Sequence, residues 1–160
     1  KIRVQESPAS IRMVNLLGCL VKATSSRELY TALQQGIVDG AENNPPSFYL
    51  SRHYEVTDHY SLNEHTAVPD MVFMSKVTWD RLTDQEREII RDAADKSAEY
   101  QIGLWQESTK EAMEQVREAG IEIHYPDKQP FREKLQPMYD EYAQDEEIQS
   151  YIERIEEMAP

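Results

Sequence analysis

The first forty positions of the chain carry short apolar runs of two different periods. Residues 2–5 alternate apolar and polar side chains, as a strand does, and residues 21–24 can form a second strand. Residues 7–17 begin with a Ser-Pro helix start and then carry apolar side chains at helical spacing. A second short helical run covers residues 28–33. The order strand, helix, strand, helix predicts an α/β lobe.

The middle of the chain combines turn signals with one strongly apolar segment. Residues 39–46 form a polar, Pro-containing loop by composition, and residues 46–53 can form another helix. Apolar side chains then crowd residues 65–76, a density that is typical of a buried strand. We therefore predict a nearly continuous core strand there.

The second half of the chain is dominated by one long helical pattern. Thr83 and Glu86 have the spacing of a capping box, and apolar side chains recur at helical intervals from there to Val116, before Gly120. The pattern predicts a helix of about 36 residues, or about 54 Å. A compact domain of this chain length has a radius of gyration of only about 15 Å. The helix must therefore bend, or pack along a body larger than this chain.

After the long helix, residues 121–124 predict a short strand and the region from residue 130 to the end predicts one or two acidic helices. The chain thus divides into three parts: an α/β lobe over residues 1–82, the long helix over 83–120, and a strand with C-terminal helices over 121–160. The single cysteine, Cys19, permits no internal disulfide.

Charge narrows the range of partners. The chain has 30 acidic and 17 basic side chains, a formal net charge of −13, so we expect no nucleic-acid partner and no attraction to an anionic lipid surface. The excess is uneven, because residues 1–80 carry 9 acidic and 7 basic side chains and residues 81–160 carry 21 and 10. No apolar run approaches the roughly 20 residues of a membrane span, so direct membrane insertion is not expected either.

Three histidines suggest one candidate chemistry. His53, His59 and His65 lie near acidic residues in the sequence, which would suit a metal-assisted enzyme. Their spacing matches none of the usual zinc patterns, which place ligands at i, i+4 on a helix or i, i+2 on a strand. The alternative is that they are hydrogen-bonded structural histidines, so no metal site, cofactor or catalytic residue is predicted.

Two other features suit binding of a small molecule. Arg3 lies within an apolar strand start, where it either points to solvent from an edge strand or grips a carboxylate in a cleft through two parallel hydrogen bonds. The loop 39–46 contains adjacent side-chain amides, which suit recognition of hydroxyls or serve only to build a structural turn. Pattern alone leaves both alternatives open.

Several stretches carry a family resemblance. Residues 2–8, 28–44 and 53–56, and above all the run L-Y-x-A-L-Q-x-G-x-V-D-G-x-E-N, resemble the substrate-binding proteins of TRAP transporters, the DctP-type family. The similarity continues through the long helix to residues 126–127, which is nearly the whole chain.

The resemblance implies the C-terminal portion of a two-lobed periplasmic-binding-protein fold, with the long helix running across both lobes. It implies an extracytoplasmic, periplasmic receptor that closes on an organic acid and delivers it to the TRAP membrane permease subunits. We expect the signal peptide and N-terminal lobe to be absent from this chain. A helical interaction protein built on residues 84–119 is a further alternative.

The resemblance also implies the binding residues. Arg3 falls on the arginine that pairs with the ligand carboxylate, and Asn43 on an asparagine that hydrogen-bonds the same ligand. Glu6 and Ser26 fall on other ligand-facing positions, and Asp70 is a candidate for contacting hydroxyls. Since Glu6 and Asp70 would repel a second carboxylate, a sugar acid such as a hexuronate or aldonate is favoured over a C4-dicarboxylate.

Overall fold

A computed structural model describes residues 1–158. In chain order, its elements are β1 (Ile2–Val4), α1 (Pro8–Leu16), β2 (Val21–Ala23), a 3-10 turn (Ser26–Glu28), α2 (Leu29–Gln34), β3 (Gly40–Ala41), α3 (Pro45–Leu50), a second 3-10 turn (His53–Val56), β4 (His59–Ser61), α4 (Lys76–Trp79), α5 (Asp84–Glu118), β5 (Glu122–His124), α6 (Gln129–Tyr142) and α7 (Glu146–Met158). The predicted alternation of strands and helices in the first half is confirmed.

A parallel three-stranded sheet forms the centre of the lobe. Its order is β2-β1-β3, so β1 is the central strand, and helices α1 and α2 make the two crossovers. Val4 from β1 packs with Met13 and Val14 of α1 and with Leu135 of α6, which closes one face of the sheet. The carboxyl ends of three parallel strands consequently lie along one edge.

Helix α5 runs without interruption over 35 residues. The Thr83 hydroxyl accepts from the Glu86 amide at 3.3 Å, and the Thr83 amide donates to the Glu86 carboxylate at 2.8 Å, so the predicted capping box is formed. At 1.5 Å per residue the helix is about 52 Å long. Only Ala112 and Val116 are buried among its residues.

The C-terminal end of α5 is attached to the lobe by an apolar cluster. Val116 packs with Phe48 of α3 and with Ile121, which leads into β5. Strand β5 pairs in parallel with β4, and Tyr60 of β4 stacks on Phe48 with ring centroids 4.6 Å apart. The described part of the chain contains no helix that is long and apolar enough to cross a membrane.

The predicted buried strand over residues 65–76 is wrong. Residues 62–75 form no helix or strand, and Val68 and Phe73 are 84% and 80% exposed. No strand of the described residues pairs with this segment, and Pro69 lacks the amide that a ladder requires. Apolar density was a misleading signal because burial needs a covering layer as well as apolar side chains.

The acidic C-terminal region forms two helices, α6 and α7. Residues 159 and 160 of the predicted segment 121–160 lie outside the described residues.

The capping box should contribute measurably to stability. Thr83→Ala removes the hydroxyl that satisfies an otherwise unpaired amide, and we expect it to lower the free energy of unfolding by about 1 kcal/mol. Urea unfolding followed by circular dichroism measures this change. Thr66→Ala, at an exposed position outside any helix or strand, should leave the free energy of unfolding unchanged. Equal effects of the two substitutions would contradict the assignment.

Candidate functional site

Arg3 is buried at the middle of the sheet. It lies opposite Lys22 of β2 and Ala41 of β3, and it is only 3% exposed. Its Nε donates to the Thr24 carbonyl oxygen at 2.9 Å, and its Nη2 donates to the Ser26 hydroxyl at 3.2 Å. The alternative of an exposed edge-strand arginine is therefore wrong, because strands flank β1 on both sides.

The guanidinium keeps hydrogen-bonding capacity for a ligand. It has five N–H groups, and its two hydrogen bonds within residues 1–158 use two of them. No carboxylate in the described part of the chain forms an ion pair with Arg3. A buried charge without a counter-ion is costly, so this position favours an incoming anion.

The three strands converge on this point. Thr24 follows β2, Ser26 lies in the next turn, and Asn43 follows β3. In open α/β sheets, ligands bind in the crevice beyond the carboxyl ends of the strands. Topology thus places these residues, together with Arg3, at the edge where such a crevice forms.

Asn43 is held in place from two directions. Its side-chain oxygen accepts from the Asn44 amide at 3.0 Å, and its main-chain oxygen accepts from the Tyr60 hydroxyl at 2.9 Å. Burial raises the pKa of Tyr60 to about 12, so this hydroxyl stays protonated and donates. Asn44 instead caps α3 by accepting from the Ser47 amide at 2.9 Å. The Asn43 and Asn44 side chains of the loop 39–46 therefore build a structural turn, and recognition of hydroxyls by Asn43 stays a prediction.

His53 contacts Asn43 and lies close enough to Arg3 to sense its charge. Its Nδ1 lies 3.4 Å from the Asn43 side-chain nitrogen, which can only donate, so Nδ1 is the acceptor and the proton is on Nε2. The imidazole is 4% exposed. Desolvation by burial, and secondarily the charge of Arg3, lower the pKa of His53. The site thus contains a neutral histidine beside a buried cation.

Thr24, His53 and Tyr60 were not predicted as binding-site residues. The sequence suggested His53 only as part of the histidine group. Its contact with Asn43 depends on how α3 folds back, which no local spacing reports. The one available signal was that residues 53–56 belong to the stretches that carry the family resemblance.

A cavity of about 290 Å³ lies next to this network. It is bounded by β3, α3, the second 3-10 turn and β4, and Asn43, His53 and Tyr60 line it. Arg3 is not part of its wall. The cavity therefore lies on the Asn43 side of the network.

The other predicted binding residues have different surroundings. Ser26 contacts Arg3 directly, as described above. Glu6 is exposed two residues beyond β1, and Asp70 is exposed in the segment 62–75 that forms no strand. No hydrogen bond joins Glu6 or Asp70 to Arg3 or Asn43 within residues 1–158. Their roles, like those of Arg3, Asn43 and Ser26 in binding, stay predictions.

The three histidines of the enzyme hypothesis do not form one group. His53 contacts Asn43, His59 contacts His124 at 3.1 Å, and His65 contacts Asn63 at 2.7 Å. Their imidazoles do not converge as a shared donor set in the described residues.

The neutral state of His53 can be tested by NMR titration. We expect the midpoint of its imidazole resonance to lie below the ordinary value of 6.5, and Arg3→Gln to raise it because a repelling charge is removed. Arg12→Gln, which removes an exposed arginine paired with Glu141, should leave it unchanged.

The depressed pKa also links His53 to stability. The unfolded chain takes up a proton on His53 near pH 6.5, whereas the folded chain does so only at lower pH, so protonation favours the unfolded state. The free energy of unfolding is therefore highest above pH 6.5 and falls as the pH decreases towards the folded-state pKa of His53. A folded-state pKa of His53 at or above 6.5 would contradict this description of the site.

Comparison with known proteins agrees with the sequence resemblance. The family model described as "Bacterial extracellular solute-binding protein, family 7", DctP, matches residues 1–145. A solute-binding protein of Chromohalobacter salexigens is 35% identical over 159 residues, which cover 98% of this chain and 47% of that protein. The sialic acid-binding periplasmic protein SiaP of Vibrio cholerae is 32% identical, covering 89% and 44%. The chain spans about half the length of these curated relatives.

Solved structures give the same result and confirm the predicted fold class, an α/β lobe with one long helix. A TRAP periplasmic solute-binding protein of Chromohalobacter salexigens with bound D-glucuronate superposes with a TM-score of 0.92 and 34% identity, covering 99% of this chain and 53% of that one. Its counterpart from Xanthobacter autotrophicus, with bound β-D-galacturonate, gives 0.89 and 38%, covering 96% and 52%. The chain belongs to the DctP family of bacterial extracellular solute-binding proteins.

Proposed function

We propose that this chain forms the ligand-binding portion of a TRAP-type solute receptor that captures a small organic acid outside the cytoplasm. The observation that carries the proposal is the buried Arg3 guanidinium, which has no carboxylate partner in residues 1–158 and retains N–H groups for one. The periplasmic relatives support the same location for this protein. The function is binding and delivery to membrane permease subunits, without catalysis.

Arg3 supplies the main contact to the ligand carboxylate. Thr24 and Ser26 hold one side of the guanidinium, which fixes the plane of the group before the ligand arrives. A carboxylate can then accept two parallel charge-assisted hydrogen bonds from the remaining N–H groups. Because the guanidinium is already desolvated, this interaction is much stronger than a surface ion pair.

The ligand class we favour is a sugar acid, such as a hexuronate or aldonate. Asn43 and Ser26 supply neutral polar groups that can bind hydroxyls, while Glu6 and Asp70 would accept hydrogen bonds from hydroxyls and repel a second carboxylate. The bound glucuronate and galacturonate of the structural relatives at 34% and 38% identity support this choice. The C4-dicarboxylate-binding periplasmic protein of Rhodobacter capsulatus is 30% identical, which is a lower identity than that of the two structures with bound sugar acids.

The charge distribution is compatible with an anionic ligand. The acidic excess lies on residues 81–160, whereas the site lies in the nearly balanced first half. Salt screens interactions between exposed charges beyond about 8 Å. The acidic helices therefore need not repel a carboxylate that Arg3 holds locally.

We further propose that a second lobe completes the binding cleft. Residues 1–82 would form one lobe, residues 83–120 would span to the other, and residues 121–160 would pack on both. The support is the length of the relatives and the apolar side chains that α5 exposes ahead of its attached end: Ile89, Tyr100, Ile102, Leu104 and Trp105. Apolar side chains along one long helix favour a covering partner.

Calorimetry with D-glucuronate tests the role of Arg3. In the protein with its full native sequence, we expect Arg3→Gln to weaken binding at least about 100-fold, because two hydrogen bonds to a charged group are lost. Arg12→Gln is the matched control, and it should change affinity less than about twofold. Unchanged affinity in Arg3→Gln, with native circular dichroism, would remove Arg3 from the site.

Two comparisons test the remaining steps. Succinate should bind more weakly than D-glucuronate, and the reverse order would overturn the sugar-acid proposal while leaving the receptor function intact.

The 160-residue chain alone should bind D-glucuronate more weakly than the protein with its full native sequence, because closure of a second lobe adds contacts. Equal affinities would refute the shared cleft.

A further inference from the structure

Strands β4 and β5 bring together three side chains that can act as metal ligands. His59 of β4 lies directly opposite Glu122 of β5, and His124 follows two residues later on β5. Residues two apart on a strand point to the same face, and directly opposed residues on paired strands have neighbouring side chains. The parallel pairing thus collects two imidazoles and one carboxylate on one face of the two-stranded sheet.

The distances between their donor atoms are close to those of a coordination site. His59 Nδ1 lies 3.1 Å from His124 Nε2. Glu122 Oε2 lies 3.6 Å from His59 Nδ1, and Glu122 Oε1 lies 3.7 Å from His124 Nε2. Tetrahedral zinc with metal–ligand bonds of about 2.0–2.2 Å separates neighbouring donor atoms by about 3.3–3.5 Å. Because the two carboxylate distances involve different oxygens, an ion would be bound by both imidazoles and by one or both oxygens of Glu122 after small side-chain rotations.

The group is accessible from solution. His59 and Glu122 are exposed and His124 is half-buried. A metal ion can therefore enter and keep water in its remaining coordination positions. Two imidazole nitrogens at 3.1 Å can share one proton as an N–H···N bond. The lone pairs of both would converge on an ion once that proton moves to the other nitrogen of its own ring, which leaves both imidazoles neutral.

We propose that His59, Glu122 and His124 form a binding site for a divalent transition-metal ion, for which zinc is the best match. Two imidazoles with one carboxylate are a recurrent zinc set, and imidazole nitrogens disfavour calcium and magnesium, which prefer oxygen ligands. Within residues 1–158, this is the one set of three His, Cys, Asp or Glu side chains whose donor atoms lie within 4.8 Å of one another.

The ion would link two segments that are distant in sequence. β4 precedes α5 and β5 follows it, so the metal would cross-link the chain on either side of the long helix. β4 also carries Tyr60, whose hydroxyl holds the Asn43 main-chain oxygen. His59 also lines the cavity beside Asn43 and His53, whereas Arg3 does not, so the metal proposal does not rest on the proposed carboxylate contact of Arg3.

Sequence spacing did not indicate this site, because the histidine hypothesis concerned only His53, His59 and His65 and the acidic residues near them. Glu122 and His124 are a carboxylate and an imidazole at i, i+2 on a strand. His59 lies far away in the chain, so only the β4–β5 pairing reveals the third ligand.

Zinc titration of the metal-free protein by isothermal calorimetry tests the proposal. We expect one equivalent to bind with a Kd below about 10 µM, and Co²⁺ to produce visible absorption bands on binding to the same site. His59→Gln, His124→Gln and Glu122→Gln should each weaken zinc binding at least about tenfold. Since these side chains lie at the surface, the variants should retain the native circular dichroism spectrum.

Glu114→Gln is the matched control, because it neutralises an exposed carboxylate of α5 outside the group. It should leave zinc affinity unchanged. Zinc should also raise the Tm of the wild-type protein and not that of the His59→Gln/His124→Gln double variant. Absence of binding at about 100 µM zinc, or equal affinity in the double variant and the wild type, would overturn the proposal.

Discussion

The burial of one positive charge, the guanidinium of Arg3, organises the lobe around it. A charge placed on the central strand of a sheet must be hydrogen-bonded by the strands beside it. The end of β2 does this through Thr24 and Ser26. The desolvated and neutral His53 contacts Asn43, and the charge of Arg3 helps to lower its pKa. The N–H groups that Arg3 leaves unused are the reason why we propose an anion-binding site at this edge of the sheet.

The long helix α5 has a different constraint, because only Ala112 and Val116 are buried among its 35 residues. Its C-terminal end is fixed by Val116 and Ile121 against α3, and the rest exposes apolar side chains. These exposed apolar side chains are part of the support for the second lobe that we propose. The attached end of α5 also positions β5 beside β4.

Local signals predicted most of the fold. The Ser-Pro start of α1 and the capping box of α5 depend only on neighbouring residues, and both formed as expected. The predicted buried strand over residues 65–76 was wrong, because an apolar run has the same composition whether or not another layer of the protein covers it. The binding roles of Arg3 and Asn43 follow from the family resemblance and stay predictions. The contacts of His53 with Asn43 and of His59 with His124 depend on tertiary packing, which the spacing of residues along the sequence does not predict.

The central claim is that Arg3 is the anion-binding group of a sugar-acid receptor. A crystal structure of the protein in its full native sequence, soaked with D-glucuronate, measures this directly. We expect the ligand carboxylate to lie within hydrogen-bonding distance of the Arg3 Nη atoms, at about 2.7–2.9 Å, with Thr24 and Ser26 still holding the guanidinium. A glucuronate carboxylate bound by other side chains, with Arg3 contacting only protein groups, would contradict it.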